Sequence, residues 1–424
     1  MLKKIKIEGL FNKFNYEIEF KEGITILTGP NGYGKTTILK IIYAFAVKNM
    51  AFFFQLPFTN ITLTQEKSEI RLSKKEHDTL EIQWENKKPL IIKKEAIISK
   101  EIRRSLEGSP YRQVDENRWL DRRTGSFLTT EEIISQFDPD IQSKHYKKQM
   151  PEFVDVYLIR EQRLIRRVTA NRRRNTPHYY EEELRENFSS TIEEYAKELS
   201  MNIKDILANA SKIGQELDSS FPRRLFDETM HVSEDEFNNR YNVIKEKQKS
   251  LSLYGLSATK EDSHTSFKEE NAKALLVYLN DTEKKLAVFD DMLQKLEIFS
   301  TILNERQFVF KQLEISPDFG FRFKTEDEKE LSLTELSSGE QQEVVLLYEL
   351  LFRVSHNTLV LIDEPEISLH VAWQKEVLND LLKIVKLQKI SVITATHSPQ
   401  IIDTHWDLVV DLWNLSADSK ESSR

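Results

Sequence analysis

The chain has 424 residues, with 61 Lys and Arg against 69 Asp and Glu and a formal net charge of −8. That balance excludes a surface that is basic throughout, so any nucleic-acid contact must be local. Cysteine is absent, which excludes disulfides, thiolate zinc sites and cysteine nucleophiles and suits a reducing cytoplasm.

Residues 1–7 alternate like a strand and lack the apolar core of a signal peptide. Residues 23–28 read as a short buried strand, and 37–44 as a helix. Between them, residues 29–37 spell GPNGYGKTT and fit G-x-x-x-x-G-K-[ST], a loop whose backbone N–H groups wrap a polyphosphate. Glycine is scarce, 11 residues in the whole chain, so the match is not a by-product of composition. Asn31, Gly32, Gly34, Lys35, Thr36 and Thr37 are the candidate nucleotide-binding residues. The helix that follows adds its partial positive charge to the site. The most apolar stretch, 38–58, is interrupted by Lys40, Lys48, Asn49, Gln55 and Pro57, so it reads as a buried helix and loop and no membrane span is expected.

Residues 60–100 alternate between apolar and polar with charged turns, which predicts an antiparallel meander. Residues 154–159 form a buried strand, and 180–310 follow a helical pattern. Heptads are not sustained, so a compact helical lobe is expected rather than a coiled-coil arm. A polar loop is expected over 250–267, and strand–helix alternation resumes from Leu313. The expected organisation is a first α/β lobe (1–58), an antiparallel β insertion (59–150), a strand with a basic segment (151–178), a helical insertion (179–312), a second α/β lobe (313–415) and a frayed tail (416–424).

The second lobe completes the site. Residues 358–363 are apolar β-formers ending in Asp363 and Glu364, acids delivered at the edge where α/β sheets bind ligands. Asp363 can hold Mg²⁺ beside the Thr36 hydroxyl. Glu364 can orient and deprotonate an attacking water. Residues 391–395 form another buried strand leading to His397, which can donate to a γ-phosphate oxygen. Ser337 and Glu340, three residues apart, read as a capping box ahead of a helix at 343–352. The functional alternative is that Ser337, Ser338 and Gly339 form a second anion-binding helix N-terminus. One polypeptide does not need two such ends on one γ-phosphate; a dimer does, each copy's serine–glycine turn closing over the other's ATP.

These segments, in this order, resemble the ABC-type ATPases, over about residues 1–45, 154–163 and 330–405. LSSGEQQ at 336–342, DEPEISLH at 363–370 and THSPQ at 396–400 are similar to the RecF/SMC/OLD-like branch; transporter subunits read LSGGQ, from which Ser338 and Glu340 depart. The resemblance implies an α/β P-loop head that takes ATP and Mg²⁺, with Lys35 on the β/γ-phosphates, Glu364 as base and His397 as γ-phosphate sensor. It adds Gln162 as a metal and water-sensing glutamine and Ser368, Leu369 and His370 as a loop coupling protomers. It also implies a head-to-head dimer or a higher oligomer. Small ATPases of this branch resemble the ATPase subunits of antiphage defence systems (Septu-, retron- or PARIS-like), which implies a partner nuclease or toxin. The short stretch after His397 leaves no room for a Toprim nuclease, and no nuclease centre is expected in the chain.

Arg160, Arg163, Arg166, Arg167, Arg172, Arg173 and Arg174 crowd together after the 154–159 strand. Three readings compete: nucleic-acid backbone binding, docking of an acidic partner, and salt bridges to Glu181, Glu182 and Glu183. Two biological roles stand beside each other: a sensor or regulator of a partner effector, and a repair-type ATPase acting directly on DNA. A third is a scaffold that uses ATP only to assemble.

Overall fold

The computed structural model describes residues 1–75, 78–85, 87–94, 111–114, 118–121, 127–129, 144–160, 165–167, 188–257, 267–306, 311–367, 369 and 371–421. The chain divides into two units, Met1–Glu161 with Val354–Arg424, and Gln162–Arg353.

The first unit begins with β1 (Leu2–Leu10) and β2 (Phe14–Glu19). Ile5 and Ile7 of β1 and Phe14, Tyr16 and Ile18 of β2 are buried, the period of strands with one face on the core. Then come β3 (Ile24–Thr28), α1 (Lys35–Ala46), α2 (Met50–Gln55), and the meander β4 (Asn60–Gln65), β5 (Glu69–Lys75), β6 (Thr79–Trp84) and β7 (Leu90–Lys93). The meander is not separate from the N-terminal hairpin: one antiparallel sheet runs β2-β1-β4-β5-β6-β7. Ile5 faces Ile18 on one side and Leu63 on the other. Short strands β8 (Tyr111–Gln113), β9 (Arg118–Asp121) and β10 (Phe127–Thr129) make a small sheet of their own. The strand expected at 154–159 is β11, Val156–Ile159.

In the second unit, β12 (Ile165–Arg167) pairs with β13 (Phe188–Ser190). Four helices follow: α3 (Thr191–Asp227), α4 (Glu234–Leu253), α5 (Ala272–Ala287) and α6 (Asp290–Glu305). The start of the loop expected at 250–267 is therefore the last turn of α4, and 258–266 lie outside the described residues. The hairpin β14 (Lys311–Ser316), β15 (Gly320–Thr325) and β16 (Glu330–Leu331) presses on α3, where a Cβ on Gly320 would stand 1.8 Å from the Ala196 carbonyl oxygen. Helix α7 runs Ser338–Tyr348 and continues as a wider turn, Glu349–Arg353. It starts five residues before the expected Glu343 because Ser337 caps it and Gly339 and Glu340 of its first turn are buried. Tyr195 stacks on Tyr348 at 4.5 Å and donates to Glu349, while Arg306 pairs with buried Glu343 at 3.1 Å.

The first unit resumes with β17 (Leu359–Asp363), α8 (Val371–Gln388), β18 (Ser391–Ala395), β19 (Val409–Asp411) and α9 (Leu412–Glu421). The tail expected from residue 416 is helical through Glu421, anchored by Leu412 in the core and Leu415 against it. A parallel sheet runs β11-β17-β18-β3-β19. Its central strands β3, β17 and β18 are almost wholly buried, as in parallel sheets covered on both faces, and α1 with the antiparallel sheet shares a core with one side of it. Ile38, Leu39, Ile41, Ile42 and Phe45 of α1 sit at 0–1% exposure in a core shared by both sheets, each contributing about 1.5–3 kcal/mol. No helix among the described residues is long and apolar enough to cross a membrane.

Candidate nucleotide site

The parallel register brings three strand ends to one edge: Thr28 of β3, Asp363 of β17 and Ala395 of β18, with Asp363 opposite Ala395 and Ala395 opposite Leu27. The glycine loop leaves β3 here and turns into α1. Gly34 caps α1 at φ +89°, in the left-handed region that a side chain would strain. No side chain caps this helix and no acid lies in its first turn, so its leading N–H groups face the cleft as anion donors.

Lys35, 5% exposed, donates from Nζ to the carbonyls of Gly29 (2.8 Å) and Pro30 (3.3 Å) and lies 3.4 Å from His397 Nδ1. Burial pulls its ammonium below the usual lysine range, and the charges of Glu364, Asp363 and Glu366 oppose that pull. Thr36 Oγ1 donates to Asp363 Oδ1 at 2.9 Å. Glu364 takes φ +47°, left-handed for a residue with a side chain. Its N–H donates to the Ala395 carbonyl at 2.9 Å, and its Oε1 lies 3.9 Å from His397 Nε2.

Asn31, Gly32, Gly34, Lys35, Thr36, Thr37, Glu364 and His397 line one cleft of about 620 Å³. Sequence reasoning missed its other lining residues, Phe11, Lys13 and Phe14 from the β1–β2 hairpin and Tyr33 from the glycine loop. Phe14 lies 5.1 Å from Tyr33, and Tyr33 5.4 Å from Trp413. Phe11 and Asn12 both take positive φ; an exposed phenylalanine at a tight hairpin tip was the one signal available.

Thr36 and Asp363 offer a hydroxyl and a carboxylate, the hard oxygen donors that suit Mg²⁺ when phosphate oxygens and water complete the shell. No group of three or more His, Asp or Glu that could hold a metal by itself occurs among the described residues.

Ser337, Ser338 and Gly339 belong to the other unit. There the capping box is formed: Ser337 Oγ accepts from the Glu340 N–H (3.4 Å), and Glu340 Oε2 from the Ser337 N–H (2.7 Å). Lys311 Nζ reaches both Glu340 oxygens at 2.7 Å. Burial works to raise the Glu340 pKa, but Lys311 and the Ser337 donors outweigh it and hold it below 4.5. Arg166 and Arg167 lie in β12, opposite Ser189 and Phe188. Gln162, Arg163, Arg172, Arg173, Arg174, the Glu181–183 run, Ser368 and His370 lie outside the described residues.

The family model for the AAA ATPase domain matches residues 1–402. The chain belongs to that family. A curated relative of this AAA ATPase domain chain, the DNA double-strand break repair Rad50 ATPase of Methanopyrus kandleri, is 55% identical over 42 residues, which are 10% of this chain and 5% of that protein. The chain thus spans a small part of that relative's length. Among solved structures, the Smc head domain of Pyrococcus furiosus, with an extended coiled coil and bound to the C-terminal domain of ScpA, is 14% identical with a TM-score of 0.38, covering 97% of this chain and 92% of that one. The SMC head domain of Thermotoga maritima is 11% identical with a TM-score of 0.33, covering 95% and 91%. At such scores the likeness carries no argument; the α/β fold stands on the strand order above.

Proposed function

We propose that the protein binds ATP with Mg²⁺ in this cleft and hydrolyses it between two copies of the chain. The observation that carries the reading is the convergence of Lys35, Thr36, Glu364 and His397, from three separate segments, on one cleft, with Asp363 hydrogen-bonded to Thr36. The α1 N-terminus and Lys35 hold the β- and γ-phosphates. Thr36 and Asp363 hold Mg²⁺, which when bound offsets charge on the phosphate oxygens. Glu364 orients a water for in-line attack and takes its proton as the bond between the γ-phosphorus and the bridging oxygen breaks, giving ADP and phosphate. His397, between Lys35 and Glu364, donates to a γ-phosphate oxygen. The aromatic wall of Phe11, Phe14 and Tyr33 supplies a face for the base. Ser337, Ser338 and Gly339 reach the triphosphate of the second copy, and Gln162 joins the metal side.

Replacing the Glu364 carboxylate (Glu364→Gln) is expected to lower turnover about 10²–10⁴-fold while ATP affinity stays within a few-fold, read by steady-state phosphate release and nucleotide titration. A variant that hydrolyses at the parent rate overturns the assignment of the base.

Downstream of the clamp, the effector-regulating role rests on the resemblance of the sequence to defence ATPases. Direct action on DNA is favoured by the Rad50 stretch and by the arginine run. Salt-dependent duplex binding by the purified chain supports the DNA reading; stoichiometric co-purification with a neighbouring gene product supports the effector reading.

A further inference from the structure

Past the catalytic pair, the chain places a third acid, Glu366, in the turn after β17. It does not line the cleft. Its Oε1 is instead the meeting point of donors from the turn after β18: the Thr396 hydroxyl at 2.6 Å, the His397 N–H at 2.9 Å and the Ser398 N–H at 3.2 Å. Its other oxygen, Oε2, is buried without a hydrogen-bond partner among the described residues. A carboxylate held there bears a desolvation cost, which the converging donors offset.

The clasp is part of a closed circuit. Ser398 Oγ donates to Gln374 Oε1 at 2.9 Å, Gln374 Nε2 to the Leu369 carbonyl at 3.2 Å, and the Leu369 N–H to the Glu366 carbonyl at 3.0 Å. Thr396 N–H, in turn, donates to the Leu27 carbonyl of β3 at 3.1 Å, just before the glycine loop. One oxygen of Glu366 therefore gathers three donors of the His397 turn, beside the Glu364 N–H bond to the Ala395 carbonyl and the route through Gln374. The His397 ring, whose backbone N–H Glu366 Oε1 holds, has Nδ1 3.4 Å from Lys35 Nζ and Nε2 3.9 Å from Glu364 Oε1.

We propose that Glu366 is a positioning residue for ATP hydrolysis, acting through His397: its carboxylate fixes the Thr396–Ser398 turn so that the imidazole stands between Lys35 and Glu364. This rests on the reading of His397 given above. Ground-state binding of ATP goes through the glycine loop and is left nearly alone; what is lost without the clasp is alignment, and an ångström of misplacement can cost about a hundredfold in rate.

The test is a double-mutant cycle on the full chain, with kcat and KM measured for the parent, Glu366→Ala, His397→Ala and the double variant, and Glu366→Gln beside them. The expected result is a kcat about tenfold or more lower for Glu366→Ala, KM within about threefold of the parent, and a double variant no slower than His397→Ala alone, because acting through one group makes the losses non-additive. Glu366→Gln keeps an accepting oxygen at the same reach, and its kcat should lie closer to the parent than to Glu366→Ala. It also keeps the test decisive if the alanine variant fails to fold. Losses that multiply in the double variant, or a glutamine variant as slow as alanine, overturn the inference and leave the His397 assignment standing. A His397→Ala enzyme as fast as the parent removes the His397 role itself, and Glu366 falls with it.

Discussion

Two helices of this chain begin with turns read as anion-binding, and they treat their N-termini in opposite ways. At α1, Gly34 takes the cap position without any side-chain bond, the first turn holds no acid, and Lys35 stands beside the opening. At α7, Ser337 and Glu340 close a capping box and Lys311 neutralises the carboxylate. A glycine cap in place of a serine or aspartate gives up only about a few tenths of a kcal/mol, and α1 can bear that because both sheets bury its sides. A helix start left open inside a well-packed core is prepared for a ligand. A self-satisfied one is stable alone, and it can serve a phosphate only when a second copy brings one to it.

That contrast can be broken at four places. Lys35→Ala should have the largest effect, weakening ATP binding about 10–100-fold, the value of a charge-assisted bond to phosphate; nucleotide titration checks it, and unchanged affinity would mean that the open helix end is not the phosphate site. Next comes Lys311→Met, which strands the Glu340 carboxylate, 9% exposed at its side chain, and should cost about 1–3 kcal/mol in denaturant unfolding at neutral pH. Its pH dependence has a definite sign. Glu340 is held below 4.5 in the fold, so its contribution is complete above that value and is lost as pH falls through the lowered pKa. The gap between parent and variant should therefore narrow on acidification, and a gap independent of pH would show that the pair is not its source.

A smaller loss is expected for Gly34→Ala, where a Cβ at φ +89° would sit 3.1 Å from Leu10 Cδ2; about 1–2 kcal/mol of strain follows, measurable in the same unfolding experiment. Smallest is Ser337→Ala, about 1 kcal/mol from the lost cap. It should leave the ATP affinity of a single copy untouched while weakening ATP-dependent association in sedimentation, and a pure stability loss with normal association would restrict Ser337 to its capping role.

The phosphate loop and the two strands that feed it were legible in the sequence because each is contiguous: GPNGYGKTT, then apolar runs ending in Asp363 and in Thr396 and His397. The aromatic wall was not, since Phe11 and Phe14 reach the cleft through a hairpin turn whose sequence matches no motif. Nothing local marks Glu366, which works on backbone N–H groups about 30 residues away. The start of α7 was misplaced for a related reason: Gly339, Glu340 and Gln342 look like surface, yet they are buried. The joining of the meander to the N-terminal hairpin depends on β1 accepting a partner on each edge, and alternation alone does not say which strands pair.

The account turns on a nucleotide shared by two copies, and mixing two crippled variants tests that most directly. Lys35→Ala disables its own cleft but keeps its serine–glycine turn; Ser337→Arg keeps its cleft but blocks its turn. Each alone should hydrolyse ATP poorly, and mixing them should restore turnover, because a mixed pair contains one intact composite site. Full activity of Ser337→Arg alone, or a mixture no faster than its two components, would contradict it.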